Sequence, residues 1–265
     1  GMSQRYYDTA ILGATFLGIG AALNSKNAIV IEKGEILGAE FIGSYKVCTW
    51  RDRNLKTESG DHFERNLRKR GLISENGDFY QGPAMYVVSE YLKEKPVELL
   101  LMTEIIEVKK EGGYYHITCY HAKGFEMIVA KHLLDTTVGG IGQKRAKNVE
   151  ISKTLNSIIY NPNKCAIEDL SYNSASRLYT YVMPVSVEKS RQEAIEDLCK
   201  KEELFLNHDM KISSIATEFS YTLEACNQEV DERFRWNPSA AYTNLVEAFD
   251  MGAYIAERMR KNALA

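Results

Sequence analysis

Two short apolar runs, residues 6–12 and 28–31, flank a stretch of helix formers, and this constrains the fold more than any other feature. The first run ends at Gly13. Residues 14–23 then have the composition of a helix, with Gly18 and Gly20 inside it. The second run, Ala28-Ile29-Val30-Ile31, is apolar without alternation, as expected of a parallel strand buried on both faces. It closes on Glu32-Lys33-Gly34. Strand, tight turn, helix and strand within about thirty residues is the size of a βαβ unit. Such a unit needs helices over its sheet, so the chain is expected to be an α/β protein.

The turn reads Gly13-Ala14-Thr15-Phe16-Leu17-Gly18. In the dinucleotide fingerprint G-x-G-x-x-G, the first glycine makes the turn. The second lets backbone approach a pyrophosphate, and the third allows helix and strand to pack closely. Gly13 and Gly18 hold the first and third places, and Thr15 holds the second. Its side chain would crowd a pyrophosphate, or its hydroxyl would hydrogen-bond to one. Glu32 lies 19 residues after Gly13, about where an acid accepts hydrogen bonds from a ribose. The same pattern also suits a βαβ unit that binds nothing, because a helix start needs small residues for packing alone.

Farther along, residues 61–70 read as a basic amphipathic helix ended by Gly71, and 83–93 as a second helix stopped before Pro96. Residues 97–102 form a short apolar strand. Residues 104–110, 114–120 and 125–129, separated by Gly112-Gly113 and Lys123-Gly124, form a three-stranded antiparallel meander. Residues 131–135 return as a strand into Thr136-Thr137-Val138-Gly139-Gly140. Residues 149–235 differ in texture: a strand at 177–185, a charged amphipathic helix at 188–205 and a strand at 211–223. Residues 236–242 then lead a final helix at 243–260, whose exposed N–H groups would favour negative charge nearby.

In this order of elements the chain resembles the glutathione-reductase-type FAD-binding fold and, within it, the FAD-dependent oxidoreductase family. Gly13–Gly18 stands against the family's G-A-G-P-A-G, Glu32-Lys33 against its acid and base, and Gly38-Ala39 against its G-G pair. Thr103-Glu104-Ile105 matches T-x-V, whose last residue contacts adenine through its backbone. Residues 130–140 resemble A-K-x-x-I-D-A-T-G-D-G, matching at Asp135, Thr137 and Gly140, with Val138 where a glycine stands. The G-D pair expected ahead of the closing helix is not visible; Asp231 lacks the preceding glycine.

The resemblance covers residues 6–140 and a piece at the C-terminus. It implies a Rossmann-like FAD-binding domain, with central parallel sheet and β-meander, over 5–148 and 236–262. It implies a small inserted α+β substrate-type domain over 149–235. The implied cofactor is FAD, held by Gly13, Ala14, Thr15, Phe16, Leu17, Gly18, Glu32, Lys33, Ile105, Thr136 and Thr137, and at the closing helix by Pro238, Ser239 and Ala240. The implied activity is hydride transfer between an organic substrate and FAD, with no catalytic acid or base identified. Thr15, Ala39 and Val138 depart from glycine where cofactor and backbone come close. They motivate an alternative, a non-catalytic relative acting as a ligand-binding or accessory protein. A third reading is a smaller nucleotide, NAD or AMP, in the first βαβ unit.

Composition narrows the partners. Over 265 residues the net charge is −3, so no global field steers nucleic acid or a lipid surface, and neither is expected as a partner. The apolar runs are too short for a membrane span. Five cysteines, odd in number and without a C-x-x-C pair, argue against a disulfide framework or a cysteine zinc site. A reducing, cytoplasmic location is the expectation. The five histidines are scattered with no metal-ligand spacing, so no metal is expected. Cys48 reads as a structural thiol, and Lys144, Arg145 and Lys147 as a solvated loop. Tyr45, Trp50 and Tyr242 are pocket candidates against a background of ordinary core tyrosines. No second complete G-x-G-x-x-G is present, so electrons would come from the substrate or from a redox partner protein; a homo-oligomer also stays open. Gly1 before Met2 reads as a tag remnant, and no signal peptide is expected.

Overall fold

The computed structural model describes residues 2–50 and 53–264; Gly1 lies outside the described residues. The opening unit is β1 (Ser3–Leu12), α1 (Phe16–Leu23) and β2 (Ala28–Ile31), with the strands parallel and Leu12 opposite Ile31. An excursion through α2 (Glu58–Lys69) and α3 (Ala84–Glu94) returns as β3 (Glu98–Leu100), parallel beside β2. The meander follows as β4 (Glu104–Glu111), β5 (Tyr114–His121) and β6 (Gly124–Asp135). Then come α4 (Ile141–Arg145), β7 (Ser152–Tyr160), β8 (Leu170–Asn173) and β9 (Leu178–Val185). The chain finishes with α5 (Arg191–Cys199), α6 (Glu202–Leu206), β10 (Lys211–Ile215), β11 (Ser220–Thr222), β12 (Gln228–Asp231), β13 (Phe234–Trp236), a 3-10 turn (Ser239–Ala241) and α7 (Leu245–Leu264).

The first sheet has eight strands along the path β12-β13-β6-β1-β2-β3, with β4 and β5 attached through β6. From β13 to β3 the neighbours are parallel. Residues 125–129 and 131–135, expected as two strands, are one continuous strand. Its first half pairs antiparallel with β5, and from Glu126 to Asp135 it pairs parallel with β1. Nothing at Ala130-Lys131 breaks it, because neither residue is a turn former. β12 and the start of β13, which fall inside 149–235, belong to this first sheet.

The second sheet has five strands, β10-β7-β9-β8 with β11 also on β7, and its pairings are antiparallel. Residues 211–223 are two strands rather than one, both on β7. The expected helix at 188–205 is also two pieces. A Ser190–Glu193 capping box starts α5, and the chain turns at Lys200–Lys201 before α6. Leu198 and Phe205 from these helices pack on Leu155 and Met183 of the sheet.

The core is set by α1 and α7. Every residue of α1 is buried. A Cβ on Gly20 would lie 2.2 Å from the Phe249 carbonyl oxygen, and one on Gly252 would lie 1.9 Å from that of Leu17. The two helices therefore meet backbone to backbone, which only glycine permits at these positions. Phe63 of α2 seals the contact against Phe249, with ring centroids 4.6 Å apart. The other face of the sheet carries Ala10, Leu12, Ile29, Ile31 and Tyr115 in a second cluster. Among the described residues, no helix is long and apolar enough to cross a membrane.

Candidate functional site

The carboxyl ends of β1, β2 and β6 converge on the N-terminus of α1, the place where open parallel sheets bind ligands. Gly13 turns the chain at φ +102°, where a Cβ would lie 2.6 Å from Thr137 Cγ2 and 2.7 Å from Thr136 Oγ1. A Cβ on Gly18 would lie 2.2 Å from the Gly13 oxygen, so helix and loop close on each other. Both glycines are required by space as well as by backbone conformation.

Thr15 does something other than either expectation. Its hydroxyl caps α1, accepting from Gly18 N at 2.9 Å, and shares a hydrogen with Thr136 Oγ1 at 2.7 Å. Thr136 in turn donates to the Leu12 carbonyl at 2.7 Å. The side chain points into the protein and knits β1, β6 and α1 together. Glu32 accepts from Ala14 N at 2.9 Å through Oε1 and from Gly34 N at 2.6 Å through Oε2, which holds the loop at the end of β2. Lys33 is exposed. Ile105 sits on β4 opposite Cys119, packed against the second core cluster, which includes Leu12 and Ile31. Thr137 donates through N and Oγ1 to buried Asp135, which also accepts from Gly142 N at 2.7 Å. Burial pushes the Asp135 carboxyl above its ordinary value, against the pull of these donors.

The C-terminal segment comes to the same place. Ser239 N donates to the Thr136 carbonyl at 3.0 Å, and Ser239 Oγ accepts from Leu17 N at 3.2 Å. Pro238 precedes it in extended backbone, and the Ala240 carbonyl accepts from Lys46 Nζ at 2.7 Å. Of the residues expected at a cofactor, the loop at 13–18, Glu32, Thr136, Thr137 and the 238–240 turn are thus brought together by these hydrogen bonds and close contacts, in which Lys33 and Ile105 take no part.

Two residues here were missed from sequence. Glu40 follows Gly38, whose φ of +69° and contact with the Phe16 ring fold the chain back onto α1. Glu40 Oε2 accepts from Phe16 N at 3.1 Å. Its other oxygen, Oε1, is buried without a hydrogen-bond partner, although solvent still reaches part of the residue. Burial pushes this carboxyl up to about 7; the Phe16 N–H and the Ser239 hydroxyl only partly offset it, and the nearby Glu32 charge adds to it. Phe16, Leu17 and Gly18 therefore give their N–H groups to Glu40, Ser239 and Thr15.

Lys46 is the second. Its ammonium donates to the Tyr221 carbonyl at 2.8 Å as well as to Ala240, tying the loop to β11 and to the 3-10 turn. Burial lowers its pKa. A lone lysine in the aromatic stretch 41–50 is the signal that would have pointed to it. Cys48 beside it is buried, its thiol pushed up to about 12 by desolvation, which fits a structural role.

A cavity of about 290 Å³ opens between this loop and the second sheet, lined by Tyr45, Lys46 and Gln81 on one side and Tyr172, Asn173 and Ser214 on the other. Tyr45 and Ser214 hydroxyls hydrogen-bond across it at 3.0 Å. Trp50 instead packs on Phe79, and Tyr242 bonds to Asn237 Oδ1. Lys144 and Arg145, expected in a loop, stand in the last turn of α4, where Arg145 pairs with Asp231 and lies over the Phe234 ring. Among the described residues, no group of three or more His, Cys, Asp or Glu is placed to hold a metal ion.

A parallel-rich sheet with this crossover order, a meander on its long central strand and a second antiparallel sheet over a cavity make up a fold shared with solved enzyme and flavoprotein structures. The chain is similar in structure to p-nitrophenol 4-monooxygenase PnpA from Pseudomonas putida DLL-E4, with a TM-score of 0.62 and 12% identity over 98% of this chain and 79% of that one. It is similar to glycine oxidase from Geobacillus kaustophilus, with a TM-score of 0.61 and 11% identity over 97% and 95%. It is similar to a flavoprotein/dehydrogenase from Cytophaga hutchinsonii, with a TM-score of 0.59 and 12% identity over 97% and 79%. The sequence matches no family model and no curated protein. At these identities the likeness establishes the fold.

An acid at the end of β2, a helix N-terminus and a glycine turn with no room for side chains meet at this place. One residue sets a limit on what could bind there. An ionised Glu40 at the first turn of α1 would repel a diphosphate where the helix would otherwise favour one.

Proposed function

We propose that this chain is a flavin-dependent oxidoreductase that holds FAD along the carboxyl ends of β1, β2 and β6. The observation that carries the reading is the meeting of Glu32, the α1 N-terminus and the Pro238–Ala240 turn at one place, in a fold shared with a flavoprotein/dehydrogenase and a glycine oxidase. When bound, FAD supplies the electron-accepting centre for oxidation of an organic substrate. Glu32 would hold the ribose hydroxyls, and the first turn of α1 the diphosphate. Lys46, anchored on the Ala240 carbonyl, places a positive charge beside the 238–240 turn, where it would stabilise negative charge at that end of the cofactor. The cavity beside Lys46 and Tyr45 would take a small organic substrate, hydrogen-bonded by hydroxyl and amide side chains.

The test is an absorbance spectrum of the purified protein, before and after adding FAD near neutral pH and removing the excess. A retained flavin band, bleached anaerobically by a substrate from a panel of small amines, acids and alcohols, is the expected result. A folded protein that takes up no flavin would refute the reading. A second reading, a non-catalytic ligand-binding or accessory protein of the same fold, is favoured by one observation. The N–H groups of the first turn of α1 are already taken by the chain's own Thr15, Glu40 and Ser239.

A further inference from the structure

The N-terminus of α1 is filled by a side chain of the wrong charge for the ligand this fold would place there. Glu40 Oε2 accepts the Phe16 N–H, while Oε1 is buried without a partner. A carboxylate with one oxygen desolvated and unpaired is costly, and protonation removes that cost. It also changes what the group needs. A neutral carboxyl has an O–H to donate, and nothing accepts it at Oε1 among the described residues. A diphosphate oxygen is an acceptor of the right kind, and it favours the same helix end.

We propose that Glu40 is a proton-operated plug in the diphosphate cradle. The free protein fills the α1 N-terminus with its own carboxyl group, and a dinucleotide binds there with Glu40 neutral and donating. Binding above the pH at which Glu40 ionises therefore takes up one proton from solution. This inference rests on the flavin reading above and adds to it a proton linkage set by one residue.

The surroundings favour the neutral form. Glu32, at the end of β2, adds negative charge, and Ser239, from the turn before α7, is uncharged. On Glu40's own loop, Lys46 is committed to the Tyr221 and Ala240 carbonyls, and Cys48 stays a thiol. Beyond Gly43, Glu218 faces Lys33 and Arg191 rather than Glu40. A carboxyl raised to about 7 puts the changeover within reach of ordinary buffers. The sign follows: below about pH 7 Glu40 is already protonated and affinity is flat, whereas above it each pH unit costs up to about tenfold in affinity.

The experiment titrates FAD into the purified wild-type protein and into Glu40→Gln, from about pH 6 to about pH 8.5, following flavin fluorescence. Gln keeps an acceptor for Phe16 N and a donor for the ligand but does not titrate. The wild type is expected to weaken about tenfold between about pH 7.5 and 8.5, while E40Q stays flat and binds about thirtyfold tighter at the top of the range. Calorimetry near pH 8 in two buffers of different ionisation enthalpy is expected to show about one proton taken up by the wild type and none by E40Q. Thermal melts check that E40Q is folded. If it is not, Glu40→Ala and the wild-type proton count carry the test. Saturable wild-type binding with no pH dependence would overturn the plug and leave the flavin reading standing. So would a pH slope of equal size in E40Q, which would assign the proton to another group, such as half-buried His132. No uptake of FAD by either protein at any pH would overturn both.

Discussion

The middle of α1 and its N-terminus are held in opposite ways. Along its length the helix meets α7 through bare backbone, with Gly20 against Phe249 and Gly252 against Leu17. At its N-terminus it meets side chains, those of Thr15, Glu40 and Ser239, which take the N–H groups of the first turn. The first contact has one solution and no room for another. The second is a set of hydrogen bonds, each replaceable by a ligand that offers the same acceptors. The difference separates fold from binding: the middle of the helix is fixed by sterics, and its end is left to chemistry that exchanges.

Substitutions should split along this line. The largest expected effect is at the backbone contact. Gly252→Val should cost about 3 kcal/mol or more in urea unfolding, because the nearest atom is a main-chain oxygen that has nowhere to go. A cost below about 1 kcal/mol would mean the helices slide apart easily, and the contrast would be lost. Asp135→Ala comes next, at about 2 to 3 kcal/mol, since it strips the acceptor from the Thr137 and Gly142 N–H groups in the interior.

The polar end should show itself through pH instead. Glu40 is raised from 4.5 to about 7, so in this window the folded chain holds a proton that the unfolded chain releases. Stability from this group is therefore lost as pH climbs through the window, and the loss is complete above about pH 7. Glu40→Gln should raise stability relative to wild type by about 2 kcal/mol at pH 8 compared with pH 5. Asp135, shifted the same way, acts in both proteins, so the difference between them isolates Glu40. The smallest effect belongs to the second sheet. Ser157 Oγ is buried without a partner there, and Ser157→Ala should change stability by less than about 0.5 kcal/mol. A large loss would expose an interaction that the geometry does not contain.

What was legible in the sequence follows the same division. β1, α1 and β2 could be read because their constraints are local: apolar runs bounded by a turn glycine and an acid. β7 could not, since Lys153, Asn156 and Ser157 are buried in it and interrupt the apolar pattern. Lys153 stays satisfied inside by donating to the Val187 and Lys189 carbonyls, contacts more than thirty residues away. Thr15 was read as an intruder facing a ligand. Only the arrival of Thr136, 121 residues later, shows its hydroxyl turned inward. Glu40, an acid in a glycine-containing loop, carries no local sign of burial. Its meaning depends on the positive φ at Gly38 and on Ser239, from the far end of the chain, facing the same carboxyl. The roles of Thr15 and Glu40 are set by neighbours in space, which no local pattern shows.

The measurement that bears most directly on the account is an equilibrium titration of FAD into the purified, folded protein at about pH 6, where Glu40 is neutral. The account predicts saturable binding at one flavin per chain, with a flavin spectrum that survives removal of excess cofactor. A folded protein that leaves the FAD free in solution at that pH would contradict it.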